Sequence, residues 1–281
     1  MAASVTAKGT RKSKPAGLPP IEYETLVLRC PLCNTEFTSE IPSVPEPEGR
    51  DTDLRPRYSA VDPLASLIHS CPSCHYTAFQ EGYGVRREIE VEEEELLLRP
   101  GDRAPYRFTL PEEEDLEDLR RYVRHGDLVR GVAEGREPFG AERYVLGARI
   151  WEFLKEDEPY GAADYYLRGS WCARTTGARE LEKRCQAETL QRFQHSLDHS
   201  LVAEVDKPRT VYLIAELSRR GGDFAKAVDL FSQLETNVDP DEEESVLFAQ
   251  LARRQLTLAV VKSDINAAIA EDEIEIERDE E

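Results

Sequence analysis

Apolar residues in the second half of the chain recur every three or four positions, which is the spacing of amphipathic helices. From residue 141 onward this pattern predicts several helices. Residues 159–161 break the first helix from the second, and Lys207-Pro208 ends the third. Asp239-Pro240 starts a last helix that is expected to continue to Ile269. The apolar positions on which these helices rest are Tyr144, Ile150, Trp151, Leu154, Leu167, Trp171, Leu181, Cys185, Phe193, Leu197, Leu201, Leu247, Leu251, Leu258, Val261, Ile265 and Ile269.

Residues 211–234 carry the spacing of a tetratricopeptide helix pair. Small residues such as Ala215 and Ala227 let two helices approach closely, and Gly222-Asp223-Phe224 is suited to the turn between them. The pattern therefore predicts a mainly α-helical, tetratricopeptide-like domain over residues 141–270.

Strand-forming residues surround two cysteine pairs in the first part of the chain. Residues 22–28 lead directly into Cys30, and residues 36–38 are suited to a return strand. Residues 41–62 contain many prolines and charges, which predict a long inserted loop without regular structure. Residues 76–85 are suited to a closing strand. The expected fold is α+β: a small zinc-ribbon-like β module over residues 21–87, followed by the helical domain.

Three further segments complete the predicted organisation. Residues 1–20 are rich in Lys, Ala, Pro and Gly without periodicity, which is typical of a disordered basic arm. Residues 88–140 contain acidic runs and are predicted to form an acidic linker with helical pieces. Residues 271–281 are predicted to form a solvated acidic tail.

The charge balance narrows the classes of function. Lys and Arg number 36 and Asp and Glu number 56, so the formal net charge is −20, and the chain repels a phosphate backbone at long range. Nucleic-acid binding is therefore not favoured. A charged fraction of 33% and a mean hydropathy of −0.56 predict no membrane span. Residues 1–20 lack the apolar run of an export signal, which predicts a cytoplasmic protein.

Four cysteines form two C-x-x-C pairs, Cys30 with Cys33 and Cys71 with Cys74. Each pair can fold as a tight knuckle, and two knuckles supply a tetrahedron of thiolates with Zn–S distances of about 2.3 Å. Six cysteines are also compatible with three disulfides in a secreted chain, but a reducing compartment favours the metal. The sequence therefore predicts a zinc site.

A site of four thiolates has no open coordination position for an activated water, which favours a structural Zn²⁺ over a catalytic one. His69 and His75 are considered as alternative ligands or as neighbours that hydrogen-bond to the ligands, and the simpler interpretation is a turn residue and a partly exposed imidazole. Cys172 and Cys185 lie in helical sequence and are interpreted as small buried hydrophobic residues.

The inserted loop offers a second candidate site. Asp51, Asp53 and Tyr58 lie there together with Arg55 and Arg57, so they could bind a ligand or a partner beside the metal. The alternative interpretation is that these polar groups only keep a loop solvated.

On these residues the chain resembles the bacterial DUF2225 family, uncharacterised proteins with two C-P-x-C knuckles and a helical C-terminal part. The matching features are Cys30-Pro-Leu-Cys33, Arg50-Asp51-Thr-Asp53, Cys71-Pro-Ser-Cys74-His75-Tyr76, Ala78-Phe79, Tyr165-Tyr166-Leu167 and Trp171-Cys172-Ala173-Arg174. His75 departs from the family, which generally has Gly at this place. The resemblance implies a metal-binding part and a helical part, and it supplies no activity.

The leading hypothesis is a zinc-binding scaffold or adaptor whose helices bind a protein partner, and the acidic surface favours a basic one. The chain has no nucleophile elbow, phosphate loop or dinucleotide motif, so an enzyme is less favoured. The alternatives are a metal-dependent or thiol-redox enzyme and a zinc-ribbon regulator that contacts nucleic acid through its basic arm. The sequence does not indicate the oligomeric state.

Overall fold

The computed structural model describes residues 23–43, 47–59, 61–85 and 113–270. Short antiparallel strands precede and flank a set of helices, which confirms the predicted α+β class. The strands are β1 (Tyr23–Arg29), β2 (Glu36–Pro42), β3 (Gly49–Asp51), β4 (Pro56–Arg57), β5 (Ile68–Ser70), β6 (Thr77–Phe79), β7 (Gly84–Val85) and β8 (Ala268–Ala270). The helices are α1 (Glu113–Arg124), α2 (Ala141–Leu154), α3 (Pro159–Thr175), α4 (Arg179–Asp198), α5 (Lys207–Arg220), α6 (Phe224–Thr236) and α7 (Glu243–Val260).

Two of the predicted segments lie outside the described residues: the basic arm over residues 1–20 and the acidic tail over residues 271–281. The predicted linker over residues 88–140 falls only partly within the described ranges. Residues 86–112 lie outside these ranges, and α1 forms directly after them. This helix buries Leu119 in the same core as the strands. No helix in the described ranges has the length and apolar character that a membrane span needs.

The strands form three small sheets with the orders β2-β1-β7, β4-β3-β8 and β5-β6. In the first sheet Leu28 of β1 pairs with Phe37 of β2 and with Val85 of β7. The strand and return strand expected around the first cysteine pair are present as β1 and β2. β5 and β6 enclose the second pair, and β6 lies in the segment that was expected to form a closing strand.

The inserted loop was predicted to lack regular structure, and this prediction is wrong for part of it. β3 forms there and pairs with both β4 and β8, with Arg50 opposite Ile269. The short strand is stabilised by backbone hydrogen bonds to a segment more than two hundred positions away. Local composition carries no information about such a partner.

Two predicted helix ends also need correction. The helix begun near Asp239 was expected to reach Ile269 but ends at Val260, where Lys262 has a φ of 55° and Ser263 N–H donates to the Leu258 carbonyl. A residue in the left-handed region closes a helix, and no periodic pattern of apolar residues reveals it. Pro208 does not end the third helix, since α4 ends at Asp198 and Pro208 lies in the first turn of α5.

The buried apolar side chains fall into two clusters that share α3. One cluster joins the strands to α1, α2 and the Tyr165 face of α3, and it includes Cys30 and Cys71. The other joins the Leu167 face of α3 to α4, α5, α6 and α7, and it includes Leu54 from the inserted loop. The helix α3 therefore connects the cysteine knuckles to the rest of the helices.

Gly161 of α3 allows a close approach between α3 and the Trp151 side chain of α2. A Cβ atom placed on Gly161 would lie 2.2 Å from Cε2 of Trp151. The substitution Gly161→Ala is expected to lower the free energy of unfolding by about 1–3 kcal/mol, because a buried indole must move to admit the methyl group. Chemical denaturation measures the loss, and an unchanged midpoint would show that the α2–α3 contact relaxes without cost.

Candidate metal centre

The two knuckles bring Cys30, Cys33, Cys71 and Cys74 together. Their four Sγ atoms all lie within 4.8 Å of one another. The Sγ atoms of Cys30 and Cys74 are 3.6 Å apart, and those of Cys33 and Cys71 are 3.5 Å apart. A tetrahedral ion with metal–sulfur distances of about 2.3 Å requires sulfurs separated by roughly 3.8 Å. The four cysteines can therefore bind a metal ion with little movement.

The backbone of each knuckle follows the same path. Asn34 N–H donates to the Cys30 carbonyl at 2.9 Å, and His75 N–H donates to the Cys71 carbonyl at 2.9 Å. Asn34 and His75 have φ values of 59° and 62°, so the residue after each second cysteine is left-handed, as expected for this turn. The repeated geometry orients both thiol pairs toward one point.

Hydrogen bonds among the thiols raise the pKa of two cysteines and lower the pKa of a third. The bond to Cys71 is the main cause that raises the pKa of Cys30, and the same contact with Cys30 is the main cause that lowers the pKa of Cys71. The pKa of Cys74 is also raised, chiefly by its hydrogen bond with Cys30. A thiol binds a metal as the thiolate, so metal binding at these cysteines would release protons.

Aromatic side chains and a helix support the knuckles from behind. The rings of Tyr76 and Tyr83 meet edge to face with centroids 5.3 Å apart, and Tyr83 Oη donates to the carbonyls of His69 and Tyr76. From α1, Arg120 Nε donates to the Leu32 carbonyl at 3.1 Å. Cys30 and Cys71 are buried, whereas Cys33 is exposed, so the centre lies at the edge of the core.

Neither histidine belongs to the cluster of four thiols. The Nδ1 atom of His69 lies 2.8 Å from Ser39 Oγ, and burial, helped by the charge of Arg143, lowers the pKa of His69 to about 4. His69 is therefore neutral at pH 7 and holds β5 against β2. His75 occupies the left-handed turn position after Cys74.

The left-handed turn gives His75 a testable role. The substitution His75→Val is expected to lower the free energy of unfolding by about 1–2 kcal/mol, because a β-branched side chain is strained at positive φ. His75→Gly removes the strain and is expected to match the parent protein or exceed it by less than about 1 kcal/mol. Denaturation of both variants, with Asn34→Gly as the matched change in the other knuckle, measures this. Equal stability of the Val and Gly variants would contradict it.

A family model described as "Uncharacterized protein conserved in bacteria (DUF2225)" matches residues 24–259. The chain belongs to this family. The matched range includes both knuckles, the inserted loop and the helices through most of α7, so the predicted resemblance to DUF2225 is confirmed. No curated protein and no solved structure matches the chain. The description of DUF2225 names no activity.

The DUF2225 chain places the aspartates of the inserted loop against the helices. Asp53 is fully buried, and it forms ion pairs with Arg174 of α3 and with Arg220 of α5, the latter at 2.5 Å. Asp51 lies 2.9 Å from Arg174. The structure therefore brings Asp51 and Asp53 together, while Tyr58 lies beyond β4 and is half-buried.

Burial raises the pKa of Asp53, but the charges of Arg174 and Arg220 more than offset this and hold its pKa below the ordinary value. Asp53 is thus an anion that receives its compensating charge from two helices. Glu182 of α4 joins the same group through contacts to Arg174 and Arg220, each at 2.9 Å. The ion pairs connect the inserted loop to three helices.

A second buried group lies beside the first. Thr52 Oγ1 donates to Glu216 at 2.5 Å, and the Tyr212 hydroxyl donates to the Thr52 carbonyl at 2.8 Å. Arg219 pairs with Glu216 at 2.7 Å and donates to the Ile265 carbonyl at 2.9 Å. These contacts hold the residues before β8 in place. Glu216 and Arg220 were missed at the sequence level, because their partners Thr52 and Asp53 lie more than 150 positions away and leave no local pattern. Arg219 was missed as well, because its pair with Glu216 three positions away resembles an ordinary charge pair on a helix surface.

Proposed function

We propose that this DUF2225 protein holds one structural Zn²⁺ at Cys30, Cys33, Cys71 and Cys74 and acts as a protein-binding scaffold or adaptor. The observation that supports it best is the closed set of four thiols, all mutually within 4.8 Å. Four thiolates complete the tetrahedral coordination that structural zinc adopts and leave no position for a reacting water.

Zinc is favoured among the metals that thiolates bind. A set of four cysteines suits zinc or iron, and zinc has no redox chemistry and no geometric preference of its own. None of the six cysteines, all of which lie in the described ranges, forms a disulfide, which is compatible with a reducing compartment such as the cytoplasm. The metal would fix the knuckles, while Tyr83 and Arg120 hold them to the core.

The binding role is supported by apolar side chains exposed on the helical part. Phe153 near the end of α2 is exposed, and so are Phe139, Leu201 and Ile265 in the connecting segments. Helices that stack in pairs commonly bind extended peptides or other helices on such surfaces. The net charge of −20 favours a basic protein partner.

Metal analysis tests the first half of the proposal. Protein purified without added metal is expected to contain one zinc per chain by elemental analysis and to keep it in chelator until it unfolds. Iron at the site, or zinc that exchanges readily while the fold remains intact, would overturn the structural zinc and favour the metal-dependent or redox enzyme.

Affinity purification tests the second half. The tagged full-length protein is expected to retain a defined protein partner from its native cell, and the matched control is the same protein with Cys71→Ser. Loss of the partner together with the metal supports a scaffold shaped by zinc. Recovery of no partner above the level of an unrelated acidic protein would oppose the scaffold.

A further inference from the structure

A concave feature lies where α2 ends and α3 begins. A cavity of about 530 Å³ is lined by Glu152, Phe153, Lys155, Glu156 and Pro159. We call this cavity the acidic groove. Its volume is in the range that accommodates a side chain with part of its backbone.

The apolar floor of the acidic groove is pre-arranged. Phe153 is 40% exposed, yet its ring stacks on Tyr122 of α1 with centroids 4.8 Å apart and planes tilted by 17°. An exposed aromatic ring held by a neighbour loses little conformational entropy when it binds a partner.

The turn beside the groove is also held in place. Trp151 Nε1 donates to the Glu158 carbonyl at 2.9 Å, and Lys155 N–H donates to the Trp151 carbonyl at 2.7 Å. The absence of a side chain on Gly161 lets this indole pack against α3. The floor and the adjoining turn are therefore formed before any partner arrives.

The rim of the groove is negatively charged. Residues 155–158 contain Glu156, Asp157 and Glu158 against the single cation Lys155. All three carboxylates are exposed, and none forms an ion pair with a cation within the described ranges. The carboxyl end of α2 adds the negative end of its helix dipole.

Glu152, which also lines the groove, already has a partner. It pairs with Arg192 of α4, and the Arg192 guanidinium lies 4.5 Å from the centre of the Tyr166 ring. This pair shows how the surface accepts an arginine: a carboxylate at the head and an aromatic face beneath. Phe153 and Glu156 supply the same two kinds of group in the lining of the groove, next to Lys155.

We propose that the acidic groove binds a basic segment of the protein partner, with a Lys or Arg side chain lying on Phe153 and its charge facing Glu156. The proposal rests on the scaffold function and names the chemistry of its partner. A cation over an aromatic face contributes about 0.5–2 kcal/mol, and the alkyl stem of the same side chain packs on the apolar floor. An acidic segment or a phosphate backbone would be repelled by this rim.

The test is the anisotropy of a fluorescein-labelled decapeptide of alternating lysine and leucine, titrated with the full-length protein that carries its metal. Binding is expected to weaken at least about tenfold in Phe153→Ala and in Glu156→Lys, since each removes one of the two components. It is also expected to weaken with added salt.

Matched controls lie elsewhere on the surface. Val261→Ala changes an apolar side chain that is 66% exposed and outside the binding surface, and Asp229→Lys makes the same charge change as Glu156→Lys at an exposed site on α6. Val261→Ala and Asp229→Lys are expected to bind the peptide like the parent protein. Circular dichroism and metal content establish that every variant is folded.

Two outcomes would overturn the acidic groove. One is equal binding by the parent and both groove variants, and the other is absence of peptide binding by the parent at tens of micromolar protein. Either outcome leaves the scaffold function itself to be judged by whether a native partner is recovered. A partner that is recovered equally by the parent and Phe153→Ala would bind at another surface.

Discussion

Replacement of Cys71 with serine is expected to abolish stoichiometric metal binding and to unfold the β module. Cys71 is buried, and its Sγ lies 3.5 Å from that of Cys33 in the other knuckle, so the two halves of the module meet through this sulfur. A serine hydroxyl is a poor ligand for a soft thiolate site. Metal affinity is expected to fall at least a hundredfold, because structural metal binding is coupled to folding.

The measurement is elemental analysis combined with thermal unfolding of the parent and the Cys71→Ser variant. The matched control is Cys172→Ala, which removes a buried thiol outside the four-cysteine cluster. This control is expected to keep one metal per chain and to lose only packing, about 1–2 kcal/mol. Full metal content in Cys71→Ser would show that the four thiols do not form one site.

The substitution Asp53→Ala is expected to lower the free energy of unfolding by about 3–5 kcal/mol. Asp53 is fully buried and pairs with Arg174 and Arg220, so its removal leaves two largely buried guanidinium groups without their central anion. Removal of one partner of a buried ion pair lowers stability by about this amount, whereas replacement of the whole pair with apolar residues changes stability little. Chemical denaturation of the metal-loaded protein measures the change, with Asp229→Ala at an exposed position of α6 as control.

The pH dependence of stability provides an independent check. The pKa of Asp53 lies below its ordinary value in the folded protein, so its contribution is complete above the pKa of an unfolded aspartate and is lost as the pH falls through the folded value. The difference in stability between the parent and Asp53→Ala is therefore expected to shrink on acidification. A difference that stays constant down to pH 2 would contradict an ionised Asp53.

The effect of Asp53→Ala on metal release would show whether the cysteine knuckles and the helices unfold together. The inserted loop lies between the two knuckles along the chain, and its ion pairs attach it to α3 and α5. If the loop and the knuckles fold as one unit, the variant is expected to release metal at a lower denaturant concentration. An unchanged release midpoint would separate the knuckles from the helices.

The amino-acid sequence by itself was sufficient for features whose causes are local. The C-x-x-C spacing predicts a knuckle because four consecutive residues make the turn, and the positive φ values of Asn34 and His75 agree with it. Helical periodicity located α2, α3 and the turn at Gly222, where φ is 88° and Asp223 accepts a hydrogen bond from Lys226 N–H. Fold class and each cysteine knuckle follow from such short-range rules.

Tertiary structure alone decided the features whose partners are distant in the chain. The composition of residues 41–62 predicts a solvated loop, because prolines and charged residues are typical of exposed segments. Pairing of β3 with β8 and the capture of Asp53 by Arg174 and Arg220 reverse that interpretation. A charge is buried only when an opposite charge is placed beside it, and that placement depends on how α3 and α5 pack rather than on neighbouring residues.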